Sequence, residues 1–273
     1  MITKNEEKFL KQCLESVKDL VDEMIIVDTG STDKTKEIAK EFNAKIYDFE
    51  WINDFSAARN ESLKHATGDW ILIIDADETI SKRDHKNIRK VIDKFDFPAF
   101  ALIQRHYSNF DQEVKFILSK GDPYEESQEF KGWTATINAI RLFKNNIGLK
   151  FHGVIHETIE NSIMSLGLQF ANTDIPLHHF QHKKSKESHK EKLGKYWELL
   201  EKKEKEEPDN LKNLHDLAII YLIQRKDYKK AFEYFNKIHK KEKDLIEPYL
   251  GIGMIYGKTG DHKKAAEIFS AGL

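Results

Sequence analysis

Residues 70–78 read Trp-Ile-Leu-Ile-Ile-Asp-Ala-Asp-Glu, and the fold reading turns on them. Trp70 to Ile74 form an unbroken apolar run, the length of a strand buried on both faces, as in α/β sheets. Asp75 and Asp77 follow at its carboxyl end, where open α/β sheets gather their ligands. Two carboxylates at that spacing can both face the cleft. Hard oxygens suit Mg²⁺ or Mn²⁺, and a diphosphate can complete the coordination. The competing reading is an acidic turn in which Glu78 starts a helix, and for an isolated Asp-x-Asp that reading wins.

The flanking sequence decides between them. Met24 to Asp28 (MIIVD) is a second apolar run ending in a carboxylate, and Ser31 to Phe42 follows at helical spacing. Ala44 to Phe49 reads as a strand and Ser56 to Ala66 as a helix. Upstream, Glu6 to Leu20 places Phe9, Leu10, Cys13, Leu14 and Val17 on one helical face. That leaves only Met1 to Thr3 for a strand, shorter than an opening strand normally is. Strands alternating with helices imply βαβ units and a parallel sheet. Phe100 to Arg105, Ile137 to Phe143 and Ile175 to Leu177 are further strand-like pieces. Between the first two lies Ser119 to Gly132, a polar segment without periodicity that reads equally as a lid or acceptor-binding element and as a tolerated insertion.

After about Lys183 strand signals vanish and Lys and Glu dominate. Asp227-Tyr-Lys-Lys-Ala231 and Asp261-His-Lys-Lys-Ala265 match at an offset of 34, as do Phe235 and Phe269. Ala218 and Gly253, and Tyr221 and Tyr256, match with a one-residue slip. A 34-residue helical period with these residues resembles tetratricopeptide repeats. Leu250, Ile252, Ile255, Ile268 and Phe269 are expected to be partly uncovered, which suggests a longer array or a homo-oligomer paired through the repeats.

Composition narrows the function. The 273 residues suffice for one medium domain and a smaller one. Hydrophobic residues are 40% of the chain, so a buried core is expected rather than disorder. Formal net charge is −2, without the basic excess of a nucleic-acid binder. Cys13 is the single cysteine, so an intrachain disulfide is excluded and a cytoplasmic setting fits. No apolar run approaches the ~18 residues of a membrane span.

Around Asp75-Ala-Asp-Glu78 stand Asn5-Glu-Glu7, Asp28-Thr-Gly-Ser-Thr-Asp-Lys-Thr35 and Asp54-Phe-Ser-Ala-Ala-Arg-Asn60. Arg141-Leu-Phe143 and Phe151-His-Gly-Val-Ile-His-Glu157 follow. In order and spacing this set resembles family 2 glycosyltransferases over roughly residues 1–182. The nearest subgroup contains lipopolysaccharide-core transferases and glycocin peptide S-glycosyltransferases. The resemblance implies an α/β GT-A domain, Rossmann-like with a mostly parallel sheet, over 1–190. An all-α tetratricopeptide-like helical domain follows over 191–273. It also implies an inverting transfer of a sugar from a nucleotide-diphosphate donor, with UDP-sugars favoured, to a saccharide, lipid-linked glycan or polypeptide acceptor.

By the same resemblance Thr3, Asn5, Glu6, Asp28, Arg59 and Asn60 line the nucleotide pocket together with Asp75, and Asp75 and Asp77 hold Mn²⁺ or Mg²⁺ on the diphosphate. Glu157 is the candidate general base, with Asp111 and Asp122 next in line. His179 is a candidate further metal ligand. The subgroup often has His-x-Gly-Tyr there, where this chain has His179-Phe-Gln-His182, so His178 and His182 are alternatives. Two rival readings are a nucleotide-sugar-binding pseudoenzyme and a repeat-based adaptor. The intact Asp75, Asp77 and Glu157 argue against the first. The motif set argues against the second.

Overall fold

The computed structural model describes residues 1–109, 116–153, 157–180, 197–243 and 245–272, without the side chains of 137–139 and 224. The chain divides into two compact units, Met1–Ser185 and Lys186–Leu273. The expected boundary at 190/191 lies outside the described residues, as do Asp111 and His182.

In the first unit the alternation of apolar runs and amphipathic stretches becomes β1 (Ile2–Thr3), α1 (Leu10–Val17), β2 (Ile25–Asp28), α2 (Thr35–Glu41), β3 (Lys45–Asp48) and α3 (Phe55–His65). These three strands pair in parallel in the order β1-β2-β3, as the βαβ pattern requires. The remaining strands are β4 (Trp70–Leu72), β5 (Glu78–Thr79), β6 (Ala99–Ser108), β7 (Ile117–Leu118), β8 (Gly132–Lys144) and β9 (Ala171–His179). Helices α4 (His85–Lys94) and α5 (Glu160–Ser165) interleave with them. These strands form a mixed sheet in the order β4-β8-β6-β9-β5, with β7 on β8. Only β6 and β9 are parallel in it. Parallel pairing therefore does not extend through the whole α/β unit.

Two features of the α/β unit matter for the site. Glu78 starts the two-residue strand β5, paired antiparallel to β9 with Glu78 opposite His179. It does not start a helix: its side chain is fully buried and hydrogen-bonded, and a buried carboxylate needs such partners. The segment 119–131, in turn, is neither loose nor solvated throughout. Phe130 packs with Tyr107, Trp133 and Phe180 in a small apolar cluster that anchors it.

The main core joins the helix faces to the sheets. Leu10, Cys13, Leu14 and Val17 of α1 pack with Ile26, Ile74, Ile80, Phe100, Leu102, Leu142 and Leu177. A second cluster gathers Ile71, Ile73, Ile140, Phe143, Phe151 and Ile159. Each fully buried side chain of this size stabilises the fold by about 1.5–3 kcal/mol. The strand ends that carry Asp75, Asp77 and His179 are thus set on a packed frame.

The second unit is helical: a stretch over 197–206, then α6 (Leu211–Ile219), α7 (Tyr228–Lys241), α8 (Ile246–Thr259) and α9 (His262–Ala271). The sequence repeat is a structural repeat. Asp227 caps α7 through Lys230 N, and Asp261 caps α9 through Lys264 N, at 3.1 and 3.0 Å. Lys226 and Gly260, 34 apart, are both left-handed, with φ of 55° and 91°. The one-residue slip has a backbone cause. Ile220–Arg225 is π-helical, and a π turn takes up one extra residue. Asp227 N and Asp261 N donate to Tyr221 O and Tyr256 O, six and five residues back.

Close packing requires glycine at two positions of α8. A Cβ on Gly251 would lie 2.2 Å from the Phe235 ring, and one on Gly253 2.4 Å from the Phe269 ring. Of the residues expected to be uncovered, Leu250 and Phe269 are exposed, whereas Ile252 and Ile255 are buried. Those two point inward because they share the α8 face that carries Gly251. Among the described residues no helix is long and apolar enough to cross a membrane.

Candidate active site

The ends of β1 and β2 carry a loop pair that is bonded to itself. Asp28, fully buried, accepts from Gly30 N at 3.1 Å, Ser31 N at 2.8 Å and the Ser31 and Thr3 hydroxyls. Burial acts to raise its pKa, but these donors and Lys36 outweigh it and hold the carboxyl below its usual range. Asn5, at φ 55°, accepts from Thr32 N through Oδ1, and its own N–H donates to Ser31 Oγ. Glu6 N donates to Thr35 Oγ1 at 2.8 Å. Thr3, Asn5, Glu6 and Asp28 are therefore together, and Asp28 works within the loop as its organiser.

The second assembly surrounds the strand end after β4. Arg59 on α3 is 94% buried as a side chain and donates to Asp75 Oδ1 through Nη2 and to Glu157 Oε1 through Nε at 3.1 Å. One guanidinium thus joins the first carboxylate of the Asp-x-Asp turn to the candidate base. Among the described residues the buried Nη1 of Arg59 has no hydrogen-bond partner, an unspent donor on the guanidinium that meets Asp75. Asn60, the next residue, exchanges two hydrogen bonds with the Phe151 backbone, at 2.9 and 2.8 Å. Its amide is spent on tying α3 to the segment that leads to Glu157.

Arg141 on β8 lies 3.5 Å from Asp75 Oδ2 and 2.9 Å from Glu78 Oε1. Burial acts to raise the Asp75 pKa, but Arg59 and Arg141 overcome it and hold the carboxyl far below the usual carboxylate range. For Glu78 burial prevails and the pKa is raised. Glu78 Oε2 accepts from Asp75 N at 2.8 Å, and Gln104 Nε2 donates to Oε1.

Asp77 sits differently. Its Oδ2 is 3.4 Å from His179 Nε2, with both side chains largely buried. His179 Nδ1 is 2.8 Å from His106 Nδ1, and His106 Nε2 is 2.8 Å from Thr136 Oγ1. An imidazole held at one nitrogen presents the other in a fixed direction, which is how metal-ligating histidines are set. With bonds of 2.0–2.1 Å, adjacent octahedral ligands stand ~3 Å apart, so the Asp77–His179 spacing fits two ligands of one cation. Among the described residues no group of three or more His, Cys, Asp or Glu forms a ready-made cation site. That also fits, because Mg²⁺ sites at phosphates combine one or two protein ligands with substrate oxygens.

Adjacent strand residues face opposite sides of a sheet, so His178 turns away from His179. His178 is fully buried, and its Nδ1 bonds Tyr107 OH at 2.6 Å. Burial and Arg105 lower its pKa to about 3. On this reverse face Arg105 meets Asp122 Oδ2 at 2.9 Å, Trp133 Nε1 donates to the same oxygen, and Arg105 stacks on Tyr124 and Trp133. Asp122 is thereby brought to the reverse face and not to the carboxylate assembly, and so is most of segment 119–131.

Sequence reading assigned no role to Arg141, Glu78, Gln104 or His106. Glu78 and Arg141 stand inside quoted motifs, which was the available signal. Gln104 and His106 alternate along β6 on the side of His179, a pattern visible only once the register is known.

The glycosyl transferase family 2 model matches residues 1–162. A TPR repeat-containing protein of Synechococcus elongatus is 37% identical over 175 residues, covering 64% of this chain and 38% of that protein. Glycosyltransferase SunS of Bacillus phage SPbeta is 35% identical over 194 residues, covering 70% of this chain and 41% of that protein. The chain thus spans about two fifths of the length of these relatives. Among solved structures, S. aureus TarS 1-349 in complex with UDP-GlcNAc aligns with a TM-score of 0.50 at 13% identity. The alignment covers 99% of this chain and 89% of that one, a likeness of fold. The match over 1–162 takes in the Asp75–Glu78 turn, Arg59, Arg141 and Glu157 on one frame, and the chain belongs to glycosyl transferase family 2.

Proposed function

We propose that the chain transfers a sugar, with inversion, from a nucleotide-diphosphate donor of the UDP-sugar class, using Mg²⁺ or Mn²⁺. The observation that carries this reading is the bridge made by Arg59 between Asp75 and Glu157. It sets the carboxylate turn suited to a diphosphate and a candidate base on either side of one side chain.

Asp77 and His179 are the residues that would hold the cation, with Asp75 beside it. The cation would stabilise, as a Lewis acid, the charge that develops on the departing diphosphate. The chain's own groups supply the rest. Glu157 takes the proton of the acceptor hydroxyl or thiol as that atom bonds to the anomeric carbon and the bond to the diphosphate oxygen breaks. A positioned base of this kind contributes ~10²–10⁴-fold. The unspent Nη1 of Arg59 is available to a donor oxygen. Asp75, Asp77 and Glu157 also give the site a negative lining, which favours an oxocarbenium-like transition state. A single base suffices, whereas a hydrolase needs a second carboxylate as acid.

The test is a donor screen with the 273-residue chain. UDP-, GDP- and other nucleotide sugars are incubated with Mn²⁺ and slow donor hydrolysis is measured. Consumption of a UDP-sugar is the expected result. No consumption of any donor would overturn the reading.

A further inference from the structure

Glu78 is fully buried within the assembly, more so than Asp77. Among the described residues its carboxylate is bonded from within the protein: Oε2 accepts from Asp75 N, and Oε1 accepts from Arg141 Nη2 and Gln104 Nε2. The backbone returns the first bond, since Glu78 N donates to Asp75 O at 3.0 Å. Residues 75–78 are therefore closed at both ends by the same two residues, once through the backbone and once through the side chain.

This closure reaches both aspartates. Arg141 donates one arm to Glu78 and directs the other toward Asp75 Oδ2, so Glu78 determines where Arg141 stands relative to Asp75. On the other side, Glu78 pairs with His179 in the β5–β9 ladder, and Phe180 N donates to Asp77 O at 2.9 Å. A shift of Glu78 would thus move Asp77 against His179. Burying a carboxylate is costly, and three donors from three separate parts of the chain, Asp75 N, Gln104 and Arg141, offset part of that cost here.

We propose that Glu78, held by Arg141 and Gln104, is the positioning residue that fixes the Asp75–Asp77 turn in the geometry that takes up a divalent cation with the donor diphosphate. The proposal rests on the functional reading above, and it assigns Glu78 no contact with substrate. Asp75 and Asp77 would meet the ligand, and Glu78 acts through them. Its replacement should therefore disturb cation uptake and turnover before it disturbs the nucleoside end of the pocket, where Asn5 and Asp28 are bonded independently of it.

Titration of Mn²⁺ into the full chain with saturating UDP, followed by the electron paramagnetic resonance of free and bound Mn²⁺, tests this. Glu78→Gln should weaken Mn²⁺ binding about tenfold or more and change the spectrum of what remains bound. Its UDP affinity without metal should stay within about twofold of the unsubstituted chain. Gln104→Leu removes one neutral donor and leaves Glu78 its bonds to Arg141 and Asp75 N, so it is the milder change that keeps the test available if Glu78→Gln does not fold, and it should weaken Mn²⁺ a few-fold. Mn²⁺ affinity and spectrum unchanged in either folded variant would overturn the positioning role. Equal losses of metal-free UDP affinity and Mn²⁺ affinity would overturn it too, by showing a general structural role. If the unsubstituted chain takes up no Mn²⁺ with UDP, the functional reading itself fails and the proposal falls with it.

Discussion

The two sides of the β6–β9 edge use buried polar groups in opposite ways. On the reverse face one arginine meets one aspartate, and Tyr124, Trp133, Tyr107 and His178 fill the space around them. Arg105 is matched by Asp122 there and the histidine is held neutral. On the facing side, among the described residues, four carboxylates, Asp75, Asp77, Glu78 and Glu157, gather around Arg59, Arg141 and His179. An excess of buried carboxylate is unfavourable in the protein alone and becomes favourable when a cation arrives. The balanced side is a structural lock that secures segment 119–131. On the proposed function, the unbalanced side is the one that a divalent cation would complete.

The largest effect should come from Asp77→Asn, which removes a charge and keeps the side-chain volume. A metal contribution of several kcal/mol corresponds to a loss of ~10²-fold or more in donor turnover. The thermal midpoint should be nearly unchanged. Near-normal turnover at saturating Mn²⁺ would place the cation elsewhere.

Glu157→Gln should lower transfer by ~10²–10⁴-fold while donor affinity holds, because a base acts in the transition state. Single-turnover rates and equilibrium donor binding separate the two quantities. Lost donor binding with unchanged chemistry would make Glu157 a pocket residue.

Asp122→Ala reverses that pattern on the other face. Stranding Arg105 should destabilise the fold by about 3 kcal/mol in urea unfolding. Turnover per folded molecule should keep its Mn²⁺ dependence. Lost Mn²⁺ dependence with an intact fold would join the two faces into one functional unit.

The smallest effect, read between pH 6.5 and 5, concerns acid. The His178 pKa is lowered in the fold to about 3, against 6.5 for a free histidine. The unfolded chain therefore binds a proton that the folded chain does not as pH falls below 6.5. Stability is lost through that window toward pH 3, at up to about 1.4 kcal/mol per pH unit from this one group. His178→Leu should flatten the decline between pH 6.5 and 5 in urea midpoints. The same slope in both proteins would contradict the assignment.

Local pattern and tertiary context divided the legible from the illegible. The βαβ opening was readable because apolar runs and helical spacing alternate cleanly from Met24 to Trp70. Phe235 and Phe269 gave the repeat, while the slip between Tyr221 and Tyr256 needed a π turn that no residue pattern announces. Asp75 and Asp77 were visible as a motif. The partners that separate their roles were not, since Arg141 and His179 arrive from β8 and β9, more than sixty residues away in sequence. That Glu78 braces the turn was not legible either, since its partners Gln104 and Arg141 arrive from β6 and β8. Asn60 stands in a recognisable motif, but its bonds to Phe151 depend on a register that the sequence does not display.

The most direct test of the central claim, that the carboxylate-rich face is completed by a divalent cation on a nucleotide-diphosphate donor, is UDP-sugar hydrolysis by the full chain stripped with EDTA and then titrated with Mn²⁺. The account predicts no turnover in EDTA, recovery as Mn²⁺ is added in excess of the chelator, and no recovery in Asp77→Asn. Undiminished turnover in EDTA would contradict it.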